Sequence, residues 1–378
     1  MRPRILYWLP NKGCERIFSS MTEDSRVDQL IAQSHLTSPN DLKLKLVKYT
    51  HTSEAANRNH LIKIINDYKP NVFVQVDDIE TLTGVVKSRG IKYIFLNHGV
   101  WPHSPNNKSR VANERWSRFD LVCGATKRFR DLHEQYAHPT FKAPVIINTL
   151  TQFDVLYQKS QNQAAIKQGI IESSKNPNAS KVVVLFGHHC DDRKSLWSQN
   201  AGYYRGVIEL AALAEKHNWL LIVKSKTPKV DDFIRKIKTP WAVELRDKYF
   251  KAMNSKYVLA AEPHGDPYQY FCSDVVVCSA RSTTEVEAAL VSKPLIRIYV
   301  PYGSIHEVEP EYENGTMDFG SAYILNDWNN LESMVLGALD GDNSELYARQ
   351  EAFIKYLEVI FDGNAHTRLI DAILGIVK

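Results

Sequence analysis

Short, uninterrupted apolar runs recur along this chain, each followed by a longer amphipathic stretch. Asn71–Val76, Tyr93–Leu96, Val182–Phe186, Trp219–Val223, Val275–Cys278 and Leu295–Tyr299 are too short for buried helices and too continuous for half-exposed strands. Such runs suit strands covered on both faces, which occur in parallel sheets flanked by helices. Ile5–Leu9, Leu44–Tyr49, Leu121–Cys123, Val145–Ile147 and Tyr257–Ala260 extend the strand series. Between them, Ser25–Gln33, Ser53–Tyr68 (with Ser53 as N-cap), Ile79–Arg89 (closed by Gly90), Gly206–His217, Phe250–Asn254, Thr284–Leu290, Leu331–Leu339, Ser344–Phe361 and Thr367–Ile376 read as helices, with a short one starting at Pro267. Strands alternating with helices predict βαβ units and a mostly parallel sheet.

The 378 residues suit two domains. The polar segment Gln158–Ser180, with its SSKNPNAS stretch, separates the two series. We therefore expect a Rossmann-like domain over residues 1–165 and a second over 175–360. Residues 361–378 would form a C-terminal helix packing back on the first. Two open α/β units facing across a cleft would bind ligands outside the carboxyl ends of their strands.

The chemistry is therefore sought just after strands. Asn97-His98-Gly99 follows a buried run, and a histidine there can accept a hydroxyl proton near neutral pH. Asn97, Gly99, Trp101 and His103 would shape an acceptor pocket around it; a histidine satisfied by its own loop is the alternative. The run Asp274–Cys278 leads into Ser279-Ala280-Arg281-Ser282-Thr283-Thr284, a hydroxyl-rich turn opening a helix. Helix N-termini favour anions, so Ser282, Thr283 and Thr284 form a candidate diphosphate cradle, and Glu287 could hold ribose hydroxyls. Simple N-capping by Ser282 or Thr283 stays open as the other account. Lys224 and Lys226 follow another strand and could neutralise donor phosphates, or merely face solvent. His188 lies in Gly187-His188-His189-Cys190-Asp191-Asp192, where adjacent ligands at unsuitable spacing argue for a loop lining the cleft over a zinc site.

Composition excludes several classes. The net charge of +4 is too slight for a nucleic-acid binder. Basic runs at Lys43, Lys45 and Lys48, at Lys224, Lys226 and Lys229, and at Arg235, Lys236 and Lys238 are either solvated faces or attractors of phosphate or anionic membrane. Cys14, Cys123, Cys190, Cys272 and Cys278 include no CxxC pair and fit a reducing compartment. The apolar N-terminal stretch is too short for a signal-peptide core, and no run approaches a membrane span. We expect a cytoplasmic protein, peripheral membrane contact being left open. GxGxxG, GxxxxGK[ST] and GxSxG are all missing, against a dehydrogenase, a P-loop NTPase and a hydrolase elbow.

Together these segments resemble the GT-B transferases, and among them the CDP-glycerol glycerophosphotransferases that build teichoic-acid and capsule polymers. The likeness covers most of the chain. Asn97-His98-Gly99 resembles that family's HG motif, which implies that His98 acts as base. Asn148–Leu156 resembles the segment closing the first domain, and Lys181–Asp192 the opening of the second. Asp274–Pro294 resembles the donor motif, with Ser282 and Thr283 as the hydroxyl pair and Glu287 as the acid. Phe361-Asp362-Gly363 and Arg368 resemble the family's C-terminal end. The chain departs where the family has His-Pro, here Lys226-Thr227-Pro228, and where Asp-Tyr precede the hydroxyl pair, here Ala280-Arg281. The resemblance implies transfer of a polyol phosphate from a CDP-activated donor to the hydroxyl of a polysaccharide or lipid-linked acceptor. It implies no cofactor beyond the nucleotide-activated substrate and no essential metal. The strand-turn-acid-Lys-Pro pattern also occurs in sugar transferases and UDP-GlcNAc 2-epimerases, which leaves glycosyl transfer as the alternative. A non-catalytic binding protein of the same fold is the third reading.

Overall fold

The computed structural model describes residues 2–9, 17, 21–33, 46–48, 54–76, 82–100, 105–187, 197–225, 230–262, 265–300 and 315–377. The chain divides into two compact units, Met1–Tyr157 with Tyr356–Lys378, and Gln158–Lys355.

In the first unit the strands are β1 (Arg4–Leu9), β2 (Asp28–Gln33), β3 (Leu46–Lys48), β4 (Val72–Val76), β5 (Lys92–Leu96), β6 (Leu121–Cys123) and β7 (Val145–Ile146). They form one sheet in the order β3-β2-β1-β4-β5-β6-β7, with every pairing parallel. Helices α1 (Glu54–Tyr68), α2 (Thr83–Ser88), α3 (Pro105–Val111) and α4 (Lys127–Tyr136) connect them, and α5 (Gln152–Ser160) leads out. Alternate residues of each strand enter separate cores. Leu6, Phe73, Tyr93 and Phe95 pack with Trp116 and Phe129 on one face, whereas Ile5, Tyr7, Val74, Ile94 and Leu96 fill the other. This second face is covered by Leu369, Ile370 and Ile373 of the C-terminal helix, which are fully buried. Burial on both faces is the physical reason the strands read as unbroken apolar runs.

The segment Asn148–Leu156 receives the returning C-terminus. Asn148, at φ 62°, accepts a hydrogen bond from the Ile360 N–H and donates one to the Glu358 carbonyl. Arg368 donates to the Asn148 carbonyl at 2.9 Å and forms an ion pair with Asp362. Asp154 accepts from the N–H groups of Ala365 and His366 at 2.8 and 2.9 Å, satisfying donors that a helix start leaves open.

The second unit contains α6 (Gln163–Ser173), β8 (Val182–Phe186), α7 (Trp197–His217), β9 (Leu220–Lys224), α8 (Val230–Lys236), α9 (Pro240–Met253), β10 (Val258–Ala261), β11 (Val275–Cys278), α10 (Thr283–Leu290), β12 (Leu295–Ile298), β13 (Tyr323–Leu325), α11 (Leu331–Asp340) and α12 (Ser344–Tyr356). Its six strands are parallel in the order β10-β9-β8-β11-β12-β13. In both sheets the order reverses beside the first strand, between β1 and β4 and between β8 and β11. Such switch points are where open α/β sheets bind ligands. The last helix, α13 (Ala365–Val377), belongs to the first unit. No helix among the described residues is long and apolar enough to cross a membrane.

Several sequence expectations need correction. Ser25–Gln33, read as a helix, is a turn followed by β2, which pairs with β1 from Arg4↔Asp28 to Leu9↔Gln33. The parallel ladder and the burial of Leu30, Ile31 and Ala32 override weak local propensity. Gln158–Ser180, the polar segment between the two strand series, carries the end of α5 and all of α6, the latter over the helical pattern of Ala164–Ile171. The Gly206–His217 helix starts nine residues earlier, at Trp197. Glycines within it conceal its length and allow close packing, since a Cβ on Gly206 would lie 2.9 Å from the Ile298 Cδ1. The Phe250–Asn254 helix is the tail of α9, which begins at Pro240, a residue well suited to a first helical position. Ser53, the expected cap of α1, lies outside the described residues, as does the start of the Ile79–Arg89 helix.

Candidate functional site

At the switch point of the second sheet, three neighbouring strands end in register. Phe186 pairs with Lys224 on one side and with Cys278 on the other. The Gly187 N–H donates to the Lys224 carbonyl at 2.9 Å, and the Ser279 N–H to the Phe186 carbonyl at 3.1 Å. Gly187 admits the Tyr203 ring, because a Cβ there would stand 2.7 Å from it. The chain then turns through Ser279 and Ala280, both buried, and emerges half-exposed from Arg281 to Thr284.

Ser282 is extended, with φ −158° and ψ 172°, and its Oγ accepts from the Thr284 N–H at 3.2 Å. The hydroxyl thus acts as the N-cap of α10. Its own carbonyl accepts from the Glu285 N–H. A phosphate bound here must share or displace this cap, and it would meet the positive end of the helix dipole.

Beneath the turn lies a cluster of charge. Glu285, the third residue of α10, has its Oε1 3.6 Å from the Nε of Arg297 on β12, and both side chains are 2% exposed. The other oxygen of Glu285 accepts a hydrogen bond from the Thr316 hydroxyl. Arg297 pairs with Cys278 across the sheet. Burial raises the Cys278 thiol well above its ordinary range; Glu285 adds to this, Arg297 opposes it, and Glu287 adds a little more. All three charges therefore act on one buried sulfur. Removing one member of a buried ion pair typically costs about 3–5 kcal/mol, because the other charge stays buried.

The structure brings Ser282, Thr283, Thr284 and Glu287 together on the first turns of α10. Glu287 is 6% exposed. Lys224 ends β9 two strands away, also buried, and its Nζ donates to the Glu262 carbonyl at 2.5 Å. Its charge lies at the same sheet edge, tied to the end of β10. Lys226 and His188 lie outside the described residues.

In the first unit, Asn97-His98-Gly99 stands at the carboxyl end of β5, next to the switch-point strand β4. The Asn97 N–H continues the ladder by donating to the Cys123 carbonyl. The Asn97 carboxamide donates to the Gly99 carbonyl at 2.9 Å and accepts from the Gly99 N–H at 3.2 Å. This clasp buries Asn97 and Gly99 and leaves His98 exposed at the tip of the turn. Asn97 therefore shapes the turn that presents His98. Trp101 and His103 lie outside the described residues.

Sequence reasoning did not single out Glu285, Arg297 or Thr316. Two signals were present. Ser282-Thr283-Thr284-Glu285 has the spacing of a capping box, and an arginine inside a buried strand demands a partner.

No protein-family model matches the chain, and no curated protein matches it in sequence. Solved structures do. The wall teichoic acid polymerase TagF superposes with a TM-score of 0.66 at 13% identity, covering 100% of this chain and 90% of that one. UDP-GlcNAc 2-epimerase from Neisseria meningitidis, bound to UDP-GlcNAc, gives 0.63 at 13% identity over 98% and 100% of the two chains. A glycosyltransferase from Rickettsia africae gives 0.57 at 13% identity over 100% and 99%. These likenesses show the fold, an α/β architecture of two parallel-sheet units of the GT-B type.

Proposed function

We propose that the chain is a transferase that moves a polyol phosphate, of the glycerol phosphate kind, from a CDP-activated donor to an acceptor hydroxyl. The observation that carries this reading is the capped, hydroxyl-rich turn Ser279–Thr284 opening α10 at a sheet switch point. The helix N-terminus and the Ser282–Thr284 hydroxyls would bind the donor diphosphate, and Glu287 would hold the ribose. His98, presented by the Asn97 clasp, would take the proton of the acceptor hydroxyl. The acceptor oxygen then bonds to the distal phosphorus as the bond to the nucleotide's bridging oxygen breaks. CMP departs, and its growing negative charge meets the α10 N-terminus. The helix dipole and hydroxyls stand in for a cation, and no metal or cofactor enters this scheme. The structural likeness to TagF supports the polyol-phosphate assignment, and the acceptor in this reading is a polysaccharide or lipid-linked hydroxyl.

Glycosyl transfer from a nucleotide sugar is the second reading, favoured by the likeness to the glycosyltransferase and the epimerase. Thermal unfolding with CDP-glycerol, CDP-ribitol, UDP, GDP and CMP-sugars separates the two. A specific ligand at 100-fold excess over its Kd stabilises by about 2.7 kcal/mol. We expect CDP-glycerol or CDP-ribitol to raise the midpoint most. Stabilisation by UDP or GDP alone transfers the assignment to sugar donors, and no response to any of the five contradicts both.

A further inference from the structure

We propose that Arg297, by neutralising Glu285 beneath the first turn of α10, sets the anion affinity of the Ser279–Thr284 turn, so that the pair positions and tunes a diphosphate it never touches. The inference rests on the reading of that turn as the diphosphate cradle.

The residue types and their placement carry the argument. A glutamate at the third position of a helix ordinarily supports the cap from the surface. Here the side chain runs inward, is 2% exposed, and is held by Arg297 and by the Thr316 hydroxyl. A buried ion pair contributes little net stability compared with a well-packed apolar pair. Fold stability alone therefore gives little reason for two charges at this point. Its location gives another. Arg297 lies across the ladder from Cys278, the last strand residue before the turn, and Glu285 lies three residues after Ser282, the helix cap. An unneutralised carboxylate there would oppose an anion at the α10 N-terminus, and an unneutralised guanidinium would reinforce it. The pair holds the field under the turn near zero, leaving the backbone N–H groups and hydroxyls to set the affinity. Thr316 orients the carboxylate toward Arg297. Cys278, Glu287, Thr316 and the Tyr299 ring, whose centroid is 5.4 Å from the Arg297 guanidinium carbon, lie near the pair and are common to every variant below.

The test is titration of CDP and UDP against four folded proteins, each checked by circular dichroism: wild type, Glu285→Gln, Arg297→Met and the double variant. Glutamine keeps an acceptor for Thr316 but leaves the arginine charge, which does not titrate away. Glu285→Gln should bind nucleoside diphosphate more tightly, by on the order of 100-fold for one charge lodged a helical turn below the anion at an effective dielectric near 20. Arg297→Met should bind more weakly, because the orphaned Glu285 carboxylate would oppose the anion. The double variant should match wild type. If Arg297→Met fails to fold, the order Glu285→Gln tighter than the double variant still decides the matter. Three variants shifting the same way, or affinities that merely follow thermal midpoints, would mean a purely structural pair and overturn the proposal. Wild type binding neither nucleotide overturns the functional reading too, so the two failures are distinguishable.

Discussion

Replacing His98 by alanine should lower turnover at least about 100-fold while leaving nucleotide affinity unchanged, the usual scale for loss of a general base. That factor corresponds to about 2.7 kcal/mol of barrier. The separation of rate from affinity follows from position: His98 ends a strand of the first unit, whereas the proposed diphosphate cradle belongs to the second. His98 is exposed, so its loss should change stability by no more than about 0.5 kcal/mol. Asn97→Ala should act through His98. It removes both bonds that fix the Gly99 backbone and should lower kcat without abolishing it. Steady-state rates paired with nucleotide titration check both. Unchanged turnover in His98→Ala would remove the residue from the mechanism, and a parallel loss of nucleotide affinity would reassign it to donor binding.

Acidification should destabilise the first unit strongly, by about 4 kcal/mol between pH 7.5 and pH 5. The cause is two buried histidines. His133 is enclosed by the rings of Trp116, Phe129 and Phe141, and its Nδ1 bonds to the Phe129 carbonyl. His366, on the first turn of α13, accepts from the Thr22 N–H at 3.4 Å. Among the described residues, neither Nε2 has a hydrogen-bond partner. Burial pushes each imidazole down to about 4, below the ordinary 6.5. The unfolded chain therefore binds more protons than the folded one between these values. The stability is fully present above pH 6.5 and is lost as pH falls toward 4, about 2 kcal/mol per histidine by pH 5. Asp154, whose carboxyl is raised by burial against its two N–H bonds, acts in the opposite direction and offsets part of the loss. Denaturant unfolding at the two pH values should show the drop, and His133→Phe and His366→Gln should each remove about half of it. A pH-independent midpoint in wild type would mean that both imidazoles are charged or solvated in the folded protein.

Much of the fold was legible because burial on both faces of a parallel sheet writes itself as short apolar runs. VVVLF, LLIVK, VVVC and LIRI became four adjacent strands, with only small shifts of boundary. What escaped was set by partners distant in sequence. β2 is a strand because β1 lies beside it, and nothing within Ser25–Gln33 announces that. The full α7 was hidden by Gly202 and Gly206, the second of which lacks a side chain where Ile298 approaches. Around the candidate site, the strand-end positions of His98 and of the Ser282–Thr284 turn could be read directly. The inward course of Glu285 could not, since its partner Arg297 lies twelve positions on and Thr316 further still. The same limit applied to Asn97, whose role as a clasp depends on the geometry of its own turn.

A crystal structure with CDP-glycerol bound tests the reading of the α10 turn. Diphosphate oxygens should lie at about 2.7–3.2 Å from the N–H groups or hydroxyls of Ser282–Thr284. The Ser282 Oγ should give up its bond to the Thr284 N–H in favour of the ligand. Diphosphate bound away from this turn, with the Ser282 cap intact and the helix start untouched, would contradict that reading.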